Sequence, residues 1–133
     1  TATNTIYYVY STAAGGNPNL FSINPTTGAM TDRGEILVGS ANLAANADVV
    51  EMDYLAFGGG TLYSVIPGGV SGTNANFNDA LFTINPATQV ATLVGALGVD
   101  LTPLGGALEF DVANNRLLLL EAQSANLYSI NLH

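Results

Sequence analysis

A chain of 133 residues is close to one domain in size and can bury a core without disulfide or metal staples. Ten acidic residues against two arginines (Arg33 and Arg116) and no lysine leave a formal charge of −8, with only 9% of residues charged. Displacing counterions from nucleic acid takes a cationic stripe that this chain cannot build, and an anionic membrane surface repels it. Apolar residues at 48% argue against disorder, and the absence of cysteine removes disulfides, thiolate metal sites and cysteine nucleophiles.

No apolar run approaches the ~20 residues of a membrane helix; the longest is strand-like, at 117–120. Low charge, no lysine and abundant Asn, Thr, Ser, Gly and Ala read as an exported protein, secreted or held at a bacterial or archaeal cell surface. Residues 1–4 (TATN) carry neither a basic nor an apolar leader, so a secreted product is expected to have lost its signal already.

In chain order, the sequence reads as strands. Residues 6–10 (IYYVY) are β-branched or aromatic throughout, and 20–24 (LFSIN) alternate large apolar with small polar side chains. Further strands are expected at 29–36, 49–57, 61–66, 80–85, 89–97, 107–112, 116–122 and 127–131. Between them stand turn signals: GGNP at 15–18, NPTTG at 24–28, GGG at 58–60, PGG at 67–69 and NN at 114–115. Residues 40–48 (SANLAANAD) read as a loop. The fold class is all-β.

Internal repeats are the strongest signal. NLFSINPTTGAMT at 19–31 returns as ALFTINPATQVAT at 80–92 and as NLYSIN at 126–131. A second phrase, TIYYVY, TLYSVI and RLLLLE, begins at Thr5, Thr61 and Arg116, about 55 residues apart. A third, YLAFGGGTLYS at 54–64, returns as ALEFDVANNRLLL at 107–119. In order, one complete unit has four strands: a (49–57), b (61–66), c (80–85) and d (89–97). The whole chain reads b-c-d, a-b-c-d, a-b-c, in units of roughly 5–48, 49–104 and 105–133 within a single domain, 1–133.

The phrase L-[YF]-[ST]-I-N-P-x-T-G followed by a threonine-rich strand resembles the blades of secreted bacterial β-propellers, of the pyrroloquinoline-quinone-like and related extracellular repeat families. The resemblance covers about residues 5–131. It implies antiparallel four-stranded β-propeller-like blades, here about two and a half of them, with strand a lining the channel. That is a partial propeller, since closure takes four to eight blades. It says little about activity, because propellers host unrelated functions. Phe21, Ile23, Leu62, Phe82, Ile84 and Phe110 are expected between the blades.

Catalytic material is scarce. The single histidine, His133, is the last residue, where fraying is usual. Glu51 and Asp53 share a strand face, with Asp48 nearby, and paired carboxylates suit glycoside hydrolysis or a lyase reaction. Glu109 and Asp111 hold the corresponding place in the next unit, which fits a repeated polar feature better than one active site. Residues 73–79 (TNANFND) alternate oxygen ligands as a calcium loop does, yet Asp79 is their one carboxylate, so an Asn-rich turn is the simpler reading. Tyr7, Tyr8, Tyr10, Tyr54, Tyr63 and Tyr128 offer sugar-stacking platforms, although packing between blades accounts for them as well.

The sequence therefore predicts a non-enzymatic extracellular structural or interaction module with no catalytic residue, metal site or cofactor. It is expected to self-associate through blade edges, as a homo-oligomer, ring or filament, because one blade lacks its a strand and another its d strand. The edge residues are Ile6, Tyr7, Tyr8, Val9 and Tyr10 at one end, and Leu127, Tyr128 and Ile130 at the other. A lectin-like glycan binder is the alternative, and a carboxylate-based hydrolase or lyase the third reading.

Overall fold

The computed structural model describes residues 5–11, 18–38, 41–42, 54–67, 79–102 and 105–132. Twelve strands occur among them: β1 (Ile6–Ser11), β2 (Pro18–Ile23), β3 (Met30–Glu35), β4 (Leu37–Val38), β5 (Ala41–Asn42), β6 (Tyr54–Gly58), β7 (Thr61–Ile66), β8 (Ala80–Ile84), β9 (Val90–Ala96), β10 (Gly106–Asp111), β11 (Arg116–Glu121) and β12 (Asn126–Asn131). No helix occurs among the described residues, and the chain is all-β. The strands form three sheets, in the orders β1-β2-β3, β5-β4-β9-β8-β7-β6 and β10-β11-β12.

The expected strands form within a few residues of their predicted bounds among the described residues; 49–53 of the strand expected at 49–57 lie outside them. Two details differ. The central sheet has six strands rather than four, because β4 adds to β9 and β5 to β4. The pairing is also not purely antiparallel: β4 runs parallel to β9, with Leu37 opposite Val90 and Val38 opposite Ala91. Two-residue strands leave no alternation to read, and this partner lies some fifty residues away. Within the expected loop at 40–48, Ala41–Asn42 is strand β5; the remainder lies outside the described residues.

The phrases at 19–31 and 80–92 fold alike. Each c–d turn opens on an asparagine whose side-chain oxygen accepts backbone N–H groups two or three residues on. Asn24 takes Thr26 at 2.8 Å and Thr27 at 3.2 Å, and Asn85 takes Ala87 at 2.9 Å. Each turn ends at positive φ, on Gly28 at 71° and on Gln89 at 59°. In both sheets the d strand then carries one extra residue, Arg33 opposite Leu20/Phe21 and Val94 opposite Leu81/Phe82. The residue after β3 and the residue after β9 each close on the start of the preceding strand: Ile36 N–H donates to the C=O of Pro18, the first residue of β2, at 2.9 Å, and Leu97 N–H to the C=O of Asp79, just before β8, at 2.7 Å.

Directly paired residues share a face, so the register sorts the side chains. The front of the central sheet carries Leu62, Ile66, Phe82 and Ile84, which are buried with Leu20 and Ile36; Tyr7 and Val9 of the first sheet pack against them. Its back carries Tyr54, Ala56, Val65 and Leu81, which are buried with Leu108, Phe110, Leu117 and Leu119 of the third sheet. The central sheet is therefore covered on both faces. Of the residues expected between the blades, Leu62, Phe82, Ile84 and Phe110 are buried between sheets, whereas Phe21 and Ile23 lie on the outer face of the first sheet, Phe21 buried beside Tyr8 and Ile23 half-buried. Ile23 pairs with exposed Ile6 and Met30 on the outer face of the first sheet, whereas its counterpart Ile84 lies under that sheet.

Two glycines set how closely the central and third sheets meet. A Cβ on Gly58 would lie 1.9 Å from the Phe110 ring, and one on Gly106 would lie 2.7 Å from the Tyr54 ring and 2.0 Å from Leu120 C=O. Each of β6 and β10 therefore offers one bare glycine to an aromatic ring of the other.

Candidate functional site

β1 and β12 stand at sheet edges, and along both the side chains alternate between the interior and solvent. On β1, Tyr7 and Val9 turn inward, and the Tyr7 ring meets Phe57 of the central sheet at 5.9 Å. Ile6, Tyr8 and Tyr10 turn outward, Tyr10 with 54% of its surface exposed. Tyr8 and Tyr10 stack at 6.2 Å and 13°, and Tyr8 leans on Phe21 at 6.4 Å. With exposed Met30 and half-buried Ile23 they form an apolar, aromatic outer face. Asp32 and Glu35 lie on the same face, Asp32 accepting a hydrogen bond from Asn19 at 3.0 Å.

On β12, Tyr128 and Ile130 turn inward against the core, and Leu127 turns outward, 66% exposed. Leu127 pairs with exposed Leu120, and Leu120 with exposed Ala107. Half-buried Leu118, exposed Glu109 and the Asp111–Arg116 pair lie on the same outer face. The eight residues expected to mediate association thus divide. Ile6, Tyr8, Tyr10 and Leu127 are available to a partner, whereas Tyr7, Val9, Tyr128 and Ile130 are held by the core.

Among the described residues the carboxylates do not gather. Asp48, Glu51 and Asp53, residues 73–78 of the Asn-rich loop, and His133 lie outside the described residues. Asp79 is half-buried, and one of its oxygens accepts the Leu101 N–H at 2.9 Å. Asp111 closes the β10–β11 hairpin. It accepts hydrogen bonds from Asn114 at 2.7 Å and Arg116 Nε at 2.8 Å, and these partners hold its pKa below the ordinary range. Glu109, two residues before it, is exposed on the same face. Among the described residues no group of three or more His, Asp or Glu is placed to hold a metal ion. No described helix is long and apolar enough to cross a membrane.

Sequence reasoning missed Glu121, which is 2% exposed at the end of β11. The hydroxyls of Thr102 and Ser124 donate to it, as do the backbone N–H groups of Ser124 at 2.8 Å and Gln123 at 3.1 Å. Donors from Ser124, then Thr102, hold its pKa down at about 2. This carboxylate ties the segment before β10 to the β11–β12 turn. The motif EAQS at 121–124, an acidic residue followed by Ser at the third position, was the available signal.

An open groove of about 550 Å³ lies on the back of the central sheet, lined by the hydroxyls of Thr61, Thr83, Thr88 and Thr92 beside Asn85. Of the tyrosines considered as sugar platforms, Tyr54 is fully buried, and Tyr63 is half-buried and stacked on Phe110 at 5.9 Å and 11°. Only Tyr8 and Tyr10 present large exposed ring area.

No family model and no curated protein matches the chain. Among solved structures, a crystal structure of a protein from Lactobacillus plantarum is similar at a TM-score of 0.46 and 15% identity, over 96% of this chain. The chain spans 37% of the length of that protein.

Proposed function

We propose that the chain is a non-enzymatic, extracellular interaction module whose sheets are β-propeller-like blades, and that it associates with further copies of itself. In this reading β1-β2-β3 are strands b-c-d, β6 to β9 are a-b-c-d, and β10-β11-β12 are a-b-c. The matching turns, extra residues and closing hydrogen bonds of the first and central sheets support it. The observation that carries the self-association is that both outer sheets leave an apolar face in water, one bearing Ile6, Tyr8, Tyr10 and Met30, the other Leu120 and Leu127. Exposed contiguous apolar patches of this kind mark interaction sites. Low charge density lets like subunits approach, and the net −8 makes that approach easier in salt. The extracellular assignment is supported by composition: no lysine, few charges and abundant Asn, Thr, Ser, Gly and Ala.

Light scattering across a concentration series, at low and moderate salt, tests this reading. Mass above 13.6 kDa that grows with concentration and salt is the expected result. Turnover of a polysaccharide panel that vanishes in Glu51→Gln would reverse the assignment in favour of a hydrolase or lyase. Glycan binding is the second reading, favoured by the exposed Tyr8–Tyr10 stack. A glycan array with wild type and Tyr10→Ala separates it: binding lost in the variant, without turnover, makes the chain a lectin.

A further inference from the structure

We infer that copies join head to tail, the outer face of the third sheet of one copy seating on the outer face of the first sheet of the next. This rests on the self-association proposed above and specifies its geometry. The two seams inside the chain supply the argument. At the first seam, the back of the first sheet meets the front of the central sheet through Tyr7 and Phe57, 5.9 Å apart. At the second, the back of the central sheet meets the front of the third through Tyr63 and Phe110, also 5.9 Å apart.

Tyr7 and Tyr63 are the third residues of TIYYVY and TLYSVI, and Phe57 and Phe110 end the matching YLAF and ALEF. The two seams are therefore one contact made twice, always back onto front. The third copy of the first phrase, RLLLLE, places Leu118 at the tyrosine position, with Leu120 and Leu127 beside it on the free back of the third sheet. The free front of the first sheet presents Ile6, Tyr8 and Tyr10. The surfaces left over are thus one back and one front, the two kinds that already pack together.

Charge points the same way. The free front carries Asp32 and Glu35 with no cation among its described residues, so a front-to-front dimer would set acid against acid. The free back carries Arg116 paired with Asp111 and exposed Glu109, a net charge of −1 against −2 on the front, so back-to-front packing sets less like charge together than front-to-front packing does. A back-to-front joint is heterologous and leaves a further back and front exposed, so it propagates to a ring or a filament.

The chain has no cysteine, so an introduced thiol is the only one. Tyr10→Cys marks the front and Leu127→Cys the back, both at exposed positions. Each variant alone, their equimolar mixture, and the double variant are treated with a short bis-maleimide, with circular dichroism confirming β structure. Covalent dimer is expected in the mixture at about tenfold or more over either variant alone, and a ladder of larger species in the double variant. Tyr8→Asp, which cannot cross-link, is expected to weaken association by about tenfold or more. Equal dimer yield from Tyr10→Cys alone overturns the head-to-tail joint and leaves self-association standing. Oligomers in light scattering without any cross-link do the same. A 13.6 kDa species under every condition overturns self-association and the joint together.

Discussion

Replacing Gly58 by alanine tests the seam between the central and third sheets. The new Cβ would sit 1.9, 2.1 and 2.5 Å from Phe110 Cγ, Cδ1 and Cδ2, where carbon atoms ordinarily stand roughly 3.5–4.0 Å apart. Rotating the ring gives no relief, because Cγ lies on its axis. The ring is also packed against Tyr63, stacked nearly parallel with centroids 5.9 Å apart. The sheets must part instead, which places the cost at the upper end of the ~1–3 kcal/mol typical of overpacking. Alanine's smaller backbone entropy loss returns only about 0.5–1 kcal/mol. A net loss of about 2 kcal/mol corresponds to a Tm lower by roughly 10 °C in a domain of this size. Urea unfolding followed by far-UV circular dichroism on wild type, Gly58→Ala, Phe110→Ala and the double variant measures the coupling. With the ring already removed, the added methyl should change stability by less than about 1 kcal/mol. An equal cost of Gly58→Ala in both backgrounds would refute close approach as the reason for the glycine.

Glu121 predicts an acid transition. Its carboxylate is held at about pKa 2, below its ordinary 4.5, so its stabilisation is complete above about pH 4.5 and is lost as the pH falls toward 2. Denaturation midpoints between pH 5 and pH 2 should therefore fall in wild type, and Glu121→Gln should flatten that fall; an unchanged slope in the variant assigns the acid lability elsewhere. Asn24→Ala removes an acceptor of two backbone N–H groups and should cost about 1 kcal/mol, adding to a similar loss from Asn85→Ala because the turns are separate. Gly28→Gln, which places a side chain at positive φ, should destabilise by about 1 kcal/mol in the same urea assay. Gln89→Gly at the matching position should cost less, since the strain relieved there offsets the hydrogen bond that Gln89 Nε2 donates to Pro86 C=O at 3.0 Å.

Most of the strand plan was legible because each strand is half-buried and its neighbours are separated by glycine, asparagine or proline. The phrase TLYSVI shows this: Leu62, Ser64 and Ile66 point to one side of the sheet and Tyr63 and Val65 to the other, and both sides are covered. Other features depend on partners distant in sequence and leave no local trace. The half-exposure of Ile23 reflects what is absent above it, since the same residue type at the same place in ALFTI is buried. Gly58 reads as the first of three turn glycines and Gly106 falls just outside the strand expected at 107–112, and only the opposing rings explain them. Glu121 reads as the polar end of an apolar run, and its burial becomes intelligible through Thr102 and Ser124. For the candidate surface, alternation along IYYVY already assigns its residues to opposite faces, but which face is solvated depends on the sheet stacked behind.

The parallel pairing of β4 with β9 makes the two seams unequal in kind. The amide of Leu37 donates to Gln89 C=O at 3.0 Å, so the chain leaving the first sheet is stitched by backbone to the outermost antiparallel hairpin strand of the central one. That proton exchanges with solvent only when the two sheets separate, which makes it a reporter of one particular opening. The other seam, among the described residues, is held by side chains such as the Tyr63–Phe110 stack and the rings seated on glycine. A proline at position 37 would loosen the first seam by deleting a donor and leave the second intact. Deuterium uptake would then divide the molecule into two cooperative units: the first sheet, and the central and third sheets together.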